Sequence, residues 1–255
     1  MTTAVARAIS RILLTNDDGY RSEGIQILFQ KLSKEYEVTL LAPDKDRSAC
    51  SSSLTTRDPV RVEKHGNSIF SCNGTPADCV HLALSGYFSK DFDTVISGIN
   101  FGENLGDDVL YSGTVAGAIE GRYLPFPTIA ISLCGSPPSH FDTAASIAGQ
   151  LLLDIENKFH NIGNAIFNVN VPNLPTQLIK GVRYTKLSRR GKPQRMIQSE
   201  DGRSEKIYWI GRGGELLDKQ PGTDYYAVSQ GYVSVTPLTI DYTDYSLLNQ
   251  LASHE

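Results

Sequence analysis

The sequence predicts an α/β fold: a Rossmann-like, mostly parallel sheet with helices on both faces, followed by a C-terminal β-rich arm of the kind that packs on a partner subunit. Three observations carry the prediction. Short, near-continuous apolar runs at 11–15, 38–42, 93–97, 128–132 and 165–171 read as strands buried on both faces. Helical periodicities lie between them, which gives βαβ spacing. Beyond Pro175 the helical pattern fades and polar alternation takes over. The expected division is a Rossmann-like catalytic core over 11–175 and an arm with a return segment over 176–255.

In order, the first ten residues read as a loose lead-in to the first strand. Residues 24–36 read as a helix, with Ile25, Leu28, Phe29 and Leu32 at i, i+3, i+4 and i+7. Pro43-Asp44 ends the second strand, and residues 44–53 form a polar loop, long for a structural connection. A short hairpin is expected over 60–63 and 69–71, turning at Gly66-Asn67. Thr75-Pro76-Ala77-Asp78 opens a helix to about Ser85, with Thr as N-cap and Pro at the first position. Ser112-Gly113-Thr114 opens a small-residue helix over 115–123. Gly117 and Gly121 inside it cost about 1 kcal/mol each against Ala, so close packing against the sheet is expected. Residues 140–158 read as a helix with Phe141, Ala144, Ala148, Leu151 and Ile155 on one face. Later β segments are expected near 180–187, 194–199, 205–211 and 231–236, with no helix until 243–252. Arg189-Arg190-Gly191-Lys192-Pro193 reads as a charged, turn-like tip.

The bulk composition excludes several classes. With 255 residues, 40% hydrophobic and 20% charged, the chain is an ordinary globular sequence. A formal net charge of −4 leaves no basic footprint for duplex nucleic acid. Cys50, Cys72, Cys79 and Cys134 have no CxxC spacing, as expected of reduced thiols in a cytoplasmic protein. Neither a signal peptide nor a membrane span is expected.

The chemistry starts at Asn16-Asp17-Asp18-Gly19. Two adjacent carboxylates at the mouth of a buried strand repel each other unless a cation lies between them. On its own, the pair also fits a solvated turn closed by Asp-Gly. In an open parallel sheet, however, ligands bind beyond the carboxyl ends of the strands. The first strand delivers Asp17 and Asp18 there, the second Asp44 and the Ser48 loop, the third Asn100 and Asn104. Two carboxylates, a hydroxyl and an amide give an oxygen cage suited to Mg²⁺ or Mn²⁺. Ser112-Gly113-Thr114 at a helix start presents N–H groups and hydroxyls to an anion. The expected reaction is metal-dependent hydrolysis of a phosphate monoester, by a metal-activated water. Other chemistries lack their signatures. There is no Gly-x-Ser-x-Gly elbow, no Walker A, no GxGxxG after the first strand and no HExxH among His65, His81, His140, His160 and His254. An aspartyl-phosphate phosphatase wants Asp-x-Asp after the first strand. A receiver domain wants an Asp where Ser97-Gly98-Ile99-Asn100 stands.

The motifs together resemble the SurE survival protein family. They are Asn16-Asp17-Asp18-Gly19, Ala42-Pro43-Asp44 with Arg47-Ser48, Gly74-Thr75-Pro76-Ala77-Asp78-Cys79, and Ser97-Gly98-Ile99-Asn100 with Asn104-Leu105-Gly106-Asp107-Asp108. Tyr111-Ser112-Gly113-Thr114-Val115 and Pro221-Gly222-Thr223-Asp224 complete the set, and the likeness runs from Arg11 to about Pro237. The resemblance implies a nucleotidase acting on nucleoside 5′- and 3′-monophosphates, sometimes also on short polyphosphate. It implies one divalent ion per subunit, Mg²⁺ or Mn²⁺, with Asp17, Asp18, Ser48 and Asn100 as ligands and the two Asp residues as catalytic. Asn104, Ser112, Gly113 and Thr114 would then face the phosphate. The implied assembly is a homodimer or homotetramer with exchanged C-terminal arms. This sequence departs from the family at Tyr20-Arg21-Ser22-Glu23, at Ala49-Cys50-Ser51 and in its first ten residues. None of these departures removes an expected ligand. No side chain is an obvious general acid: His81, Asp44 and Asp107 are the candidates, with metal-bound water as the alternative. A non-catalytic nucleotide- or metal-binding regulator on the same scaffold is the alternative, and a broad phosphatase or exopolyphosphatase a third.

Overall fold

The first apolar run becomes β1 (Arg11–Thr15), whose Ile12, Leu13 and Leu14 are fully buried. Each such side chain contributes roughly 1.5–3 kcal/mol on leaving water. The computed structural model describes residues 8–159, 162, 165–211 and 213–253. Residues 1–7 of the expected lead-in, His160 and His254 lie outside these. The end of the lead-in is fixed rather than loose: Ile9 is buried, and Asp93 accepts hydrogen bonds from the backbone of Ser10 and Arg11.

From β1 the chain passes through α1 (Glu23–Leu32) to β2 (Glu37–Pro43), then the antiparallel pair β3 (Val62–Lys64) and β4 (Ile69–Cys72). Next come α2 (Pro76–Leu82), β5 (Thr94–Phe101), α3 (Gly113–Glu120), β6 (Thr128–Cys134), α4 (Phe141–Lys158) and β7 (Ile166–Pro172). After Pro175 follow β8 (Val182–Tyr184), β9 (Ile197–Glu200), β10 (Lys206–Trp209), α5 (Asp224–Ser229), β11 (Val233–Leu238) and α6 (Tyr245–Ala252). The main sheet has nine strands in the order β3-β4-β2-β1-β5-β6-β7-β11-β8. From β4 to β7 every pairing is parallel, and β11 returns antiparallel to β7. Strands β8 and β11, both beyond residue 175, are thus part of the main sheet. Among the described residues only the β9–β10 hairpin forms a sheet of its own.

The order places the chain reversal at β1, which has β2 on one side and β5 on the other. That reversal is the topological switch point, where the loops leaving adjacent strands diverge and open a crevice. Helices α1 and α4 cover one face, burying Ile25, Leu28, Ala144, Ala148 and Leu152 against β1, β5 and β6. Helices α2 and α3 pack together on the other face.

Several elements differ from expectation for local reasons. Helix α1 stops at Leu32 rather than Tyr36, because the N–H groups of Glu35 and Tyr36 both fold back on the Leu32 carbonyl. Helix α2 has the expected Thr75 capping box but ends at Leu82. It runs into a π-helical turn over 83–87 that breaks at Gly86, φ 107°. Strand β5 continues past Ser97 to Phe101, with an irregular register between Ser97 and Asn100. Gly98 permits this: a Cβ there would lie 2.1 Å from the Ile131 carbonyl oxygen. Helix α5 was not expected; Thr223 caps it by accepting from the Tyr226 N–H. Arg189 to Pro193 is the neck of the arm rather than its tip, because Gly191 bonds to Glu215 and Arg190 is tied to the core.

Candidate active site

The cleft at the switch point is about 330 Å³ and is lined by Asp17, Ser48, Asn100, Asn104, Asp108 and Ser112 among others. These residues come from the ends of β1, β2 and β5 and from the start of α3. The turn after β1 is held by Asn16, whose side-chain amide donates to the Gly19 carbonyl at 3.0 Å and to Ser22 Oγ at 2.7 Å. This aims Asp17 and Asp18 out of the strand end. Asp17 is buried, and its Oδ1 accepts from Thr114 Oγ1 at 2.5 Å. Asp18 Oδ2 accepts the Phe101 N–H at 3.0 Å, so β5 is fastened to the second carboxylate.

The electrostatics of this pair are unfavourable without a counter-charge. Burial raises the Asp17 pKa above the usual carboxylate range, against the lowering effect of the Thr114 bond. Asp18 is pushed up to about 6, first by burial and then by the charge of Asp17. Among the described residues no Lys or Arg forms an ion pair with either.

Ser48 and Asn100 offer oxygens beside the pair. Ser48 donates its N–H and its hydroxyl to Asp46 Oδ1, at 2.7 and 2.6 Å, which leaves lone pairs on Ser48 Oγ. Asn100 donates its amide to the Gly102 carbonyl at 2.9 Å, leaving its Oδ1 as an acceptor. The 44–53 loop is drawn to the pair by the Arg47 N–H, which donates to the Asp17 carbonyl at 2.7 Å. Two uncompensated carboxylates, a hydroxyl and an amide oxygen fit a hard divalent cation. Among the described residues there is no cluster of three or more His, Cys, Asp or Glu able to hold a metal, so any ion here would rely on the Ser and Asn oxygens.

The start of α3 faces Asp17 at very close range. A Cβ on Gly113 would lie 2.9 Å from both Cβ and Oδ2 of Asp17 and 2.8 Å from Cys50 Sγ. Gly117 and Gly121 continue this stripe: a Cβ on either would meet Ser97 Oγ at 2.7 Å or Val95 Cγ2 at 2.7 Å. The close packing expected of these glycines is therefore present. Ser112 caps the helix by accepting from the Val115 N–H at 3.1 Å, so its own hydroxyl proton remains a donor. The N–H groups of the first helical positions, Gly113 and Thr114, have no carbonyl a turn earlier to bond. Thr114 is fully buried, and both its hydroxyl and its backbone N–H are engaged by the Asp17 carboxylate, so the expected phosphate contact of Thr114 is replaced by a contact that holds Asp17. Asn104 is buried too, with one amide N–H on Ser132 Oγ and its carbonyl held by Asn168 and Asn170.

Four functional contacts escaped the sequence reading. Asp46 orients Ser48, and its charge adds to the upward shift of both site carboxylates. Asp224 is fully buried and accepts from the N–H groups of Gly106, Ser188 and Tyr225 at 2.7–2.8 Å. Arg190 donates to Asp108 Oδ2 at 2.9 Å through Nε, and its N–H donates to Asp107 at 2.8 Å. Asp78 is held by Thr55 and Thr75, which ties the far end of the 44–55 loop to α2. Asp46-x-Ser48 is a legible Asx pattern; the others join residues too distant in sequence to leave a local signal. Of the candidate general acids, His81 pairs with Glu120 outside the cleft, Asp44 pairs with Arg47, and Asp107 is engaged by Arg190.

An α/β protein with carboxylates and a helix start facing each other across the switch point belongs to the broad class of phosphate-handling Rossmann-like proteins. The comparisons narrow this. The sequence model of Survival protein SurE matches residues 12–194, and the chain belongs to that family. It is 50% identical over 241 residues to the 5′-nucleotidase SurE of Halorhodospira halophila, covering 94% of this chain and 96% of that protein. It is 47% identical over 243 residues to the 5′-nucleotidase SurE of Nitrosococcus oceani, covering 95% and 96%. The crystal structure of the SurE protein from Aquifex aeolicus superposes with a TM-score of 0.82 at 39% identity, over 96% of this chain and 99% of that one.

Proposed function

We propose that the protein is a metal-dependent 5′-nucleotidase, releasing phosphate from nucleoside 5′-monophosphates and also accepting 3′-monophosphates. The carrying observation is the pair of buried Asp17 and half-buried Asp18, uncompensated by any Lys or Arg among the described residues, directly opposite the start of α3 at Gly113. The names of the relatives, 5′-nucleotidase SurE, support the substrate class.

Asp17, Asp18, Ser48 Oγ and Asn100 Oδ1 would hold one Mg²⁺ or Mn²⁺ per subunit. When bound, that ion supplies Lewis acidity to the phosphoryl oxygens and acidifies a water. The remaining work falls to the chain itself. Thr114 fixes the Asp17 carboxylate, and the Phe101 N–H fixes Asp18. The N–H of Gly113 and the hydroxyl of Ser112 bind the phosphate oxygens and stabilise the charge that builds in the transition state, while Thr114 spends both its donors on Asp17. Asn104 supplies its second amide proton at the cleft floor. Short polyphosphate, with the same terminal phosphoryl group, is a further substrate.

The assembly we propose is a cytoplasmic homodimer or homotetramer joined through the arm. Support comes from apolar side chains on the β9–β10 hairpin, where Ile197, Trp209 and Ile210 are exposed, and from α6, which buries none of its residues within this chain. No helix among the described residues is long and apolar enough to cross a membrane.

The test is phosphate release from AMP or GMP by the purified protein with added Mn²⁺, repeated with a chelator. Release abolished by the chelator supports the reading. Tight nucleotide binding with no release under any metal supports the non-catalytic regulator instead.

A further inference from the structure

We propose that Phe101 and Tyr111 form a stacking platform for the nucleobase and set the preference for nucleotides over base-free phosphate monoesters. The inference rests on the nucleotidase reading and concerns the part of the substrate that the metal and phosphate residues do not reach.

Both rings line the switch-point cleft, and both are open to solvent: Phe101 is 57% exposed and Tyr111 66%. Each directly adjoins a residue of the proposed machinery, since Phe101 follows Asn100 and Tyr111 precedes Ser112. Both rings line the same cleft as Asn100 and Ser112, Phe101 at the last position of β5 and Tyr111 just before α3. A nucleotide with its phosphate in this cleft has both rings within the same site.

The rings are exposed, but their backbones are fixed. The Phe101 N–H is bonded to Asp18, the Tyr111 N–H to the Asp108 carbonyl, and the Tyr111 carbonyl accepts from the Ser51 N–H. Rigid aromatic side chains on a fixed backbone lose little freedom on binding and offer π faces that any base can stack on. Tyr123, Tyr208 and Trp209 are as exposed, but none of them lines this cleft. The polar groups of the cleft are already assigned, Asp17, Ser48 and Asn100 to the ion, Asn104 and Ser112 to the phosphate, and Asp108 to Arg190. Stacking without edge reading gives a site that selects for a base but discriminates weakly among bases.

The experiment measures kcat/KM with Mn²⁺ for AMP and for ribose 5-phosphate, which has the same phosphate and sugar and no base. Wild type, Phe101→Ala, Phe101→Leu, Tyr111→Ala and Phe101→Trp are compared, with thermal melting as the folding control. Wild type should favour AMP. Phe101→Ala and Tyr111→Ala should each lose roughly 5- to 100-fold on AMP, and several-fold less on ribose 5-phosphate. Phe101→Leu, which keeps apolar bulk without a π face, should behave as the alanine variant; Phe101→Trp should retain the preference. Equal losses on both substrates, or an AMP preference unmoved in every variant, overturn the platform and leave the phosphohydrolase standing. Equal use of the two substrates by wild type also overturns the platform alone. Hydrolysis of neither by wild type overturns the phosphohydrolase reading and this inference together.

Discussion

Gly113→Ala tests whether the α3 start must touch Asp17. The new Cβ would stand 2.9 Å from Asp17 Cβ and 2.8 Å from Cys50 Sγ. Carbon atoms rest at about 3.5 Å or more, so the helix start and the carboxylate must part by about 0.6 Å. Neither side yields easily. Asp17 is tied to Thr114 and Arg47, and α3 is packed on the sheet through Gly117 and Gly121. Overpacking of this kind costs about 1–3 kcal/mol, and a displacement approaching 1 Å in a catalytic constellation costs on the order of 10²-fold in rate. The expected outcome is a folded protein with a Tm lowered by a few degrees and kcat/KM on AMP reduced at least ten-fold, most of it in kcat. The assay is steady-state phosphate release beside differential scanning calorimetry. Wild-type kcat/KM in a variant with an unchanged Tm would refute the close-approach argument.

Gly149→Ala is the matching control: it lies in α4 with nothing within 4 Å of its Cβ position, so it should stabilise by about 0.5–1 kcal/mol, read as a rise in Tm of about 2 °C with unaltered kinetics. Metal-free protein should lose stability as pH rises from about 4 through 6, because Asp18, held up to about 6 by burial and Asp17, keeps its proton in the native state while the unfolded state has lost it. Asp18→Asn should therefore raise the Tm of the metal-free protein at pH 7, and a fall would contradict the sign. By the same linkage, Mn²⁺ affinity should weaken as pH drops below 6, which calorimetric titration at pH 5 and pH 7 reads directly. Asp224→Ala should leave three N–H groups unpaired, those of Gly106 and Ser188 buried, and cost about 3 kcal/mol or more. Urea unfolding measures that loss, and a raised KM should accompany it as the 104–108 loop loosens.

Much of the fold was legible because its signals are local. Apolar runs bounded by Pro43 and Pro172 gave the central strands, and Thr75-Pro76 gave the start of α2. The glycines of α3 announced a tightly packed helix. The Asp pair, Ser48, Asn100 and Ser112 were brought to one rim by the single rule that parallel strands end on the same side. What stayed hidden was set by distant contacts. Helix α5 has only six residues, too short for a periodicity, and exists because Thr223 and Asp224 cap it against Gly106 and Ser188. The neck of the arm looked like a free tip because nothing near Arg190 in sequence reveals Asp108, 82 residues away. The hydroxyl of Thr114 looked available to an anion, yet burial turned it onto Asp17.

The central claim is that Asp17 and Asp18 hold a divalent ion that drives phosphate-ester hydrolysis. Its most direct test is phosphate release from AMP across a Mn²⁺ titration, for wild type and Asp17→Asn side by side. Wild-type activity should rise from nothing to saturation with Mn²⁺, while Asp17→Asn should stay at or near background at every concentration. Full activity of Asp17→Asn with the wild-type metal dependence would contradict the account.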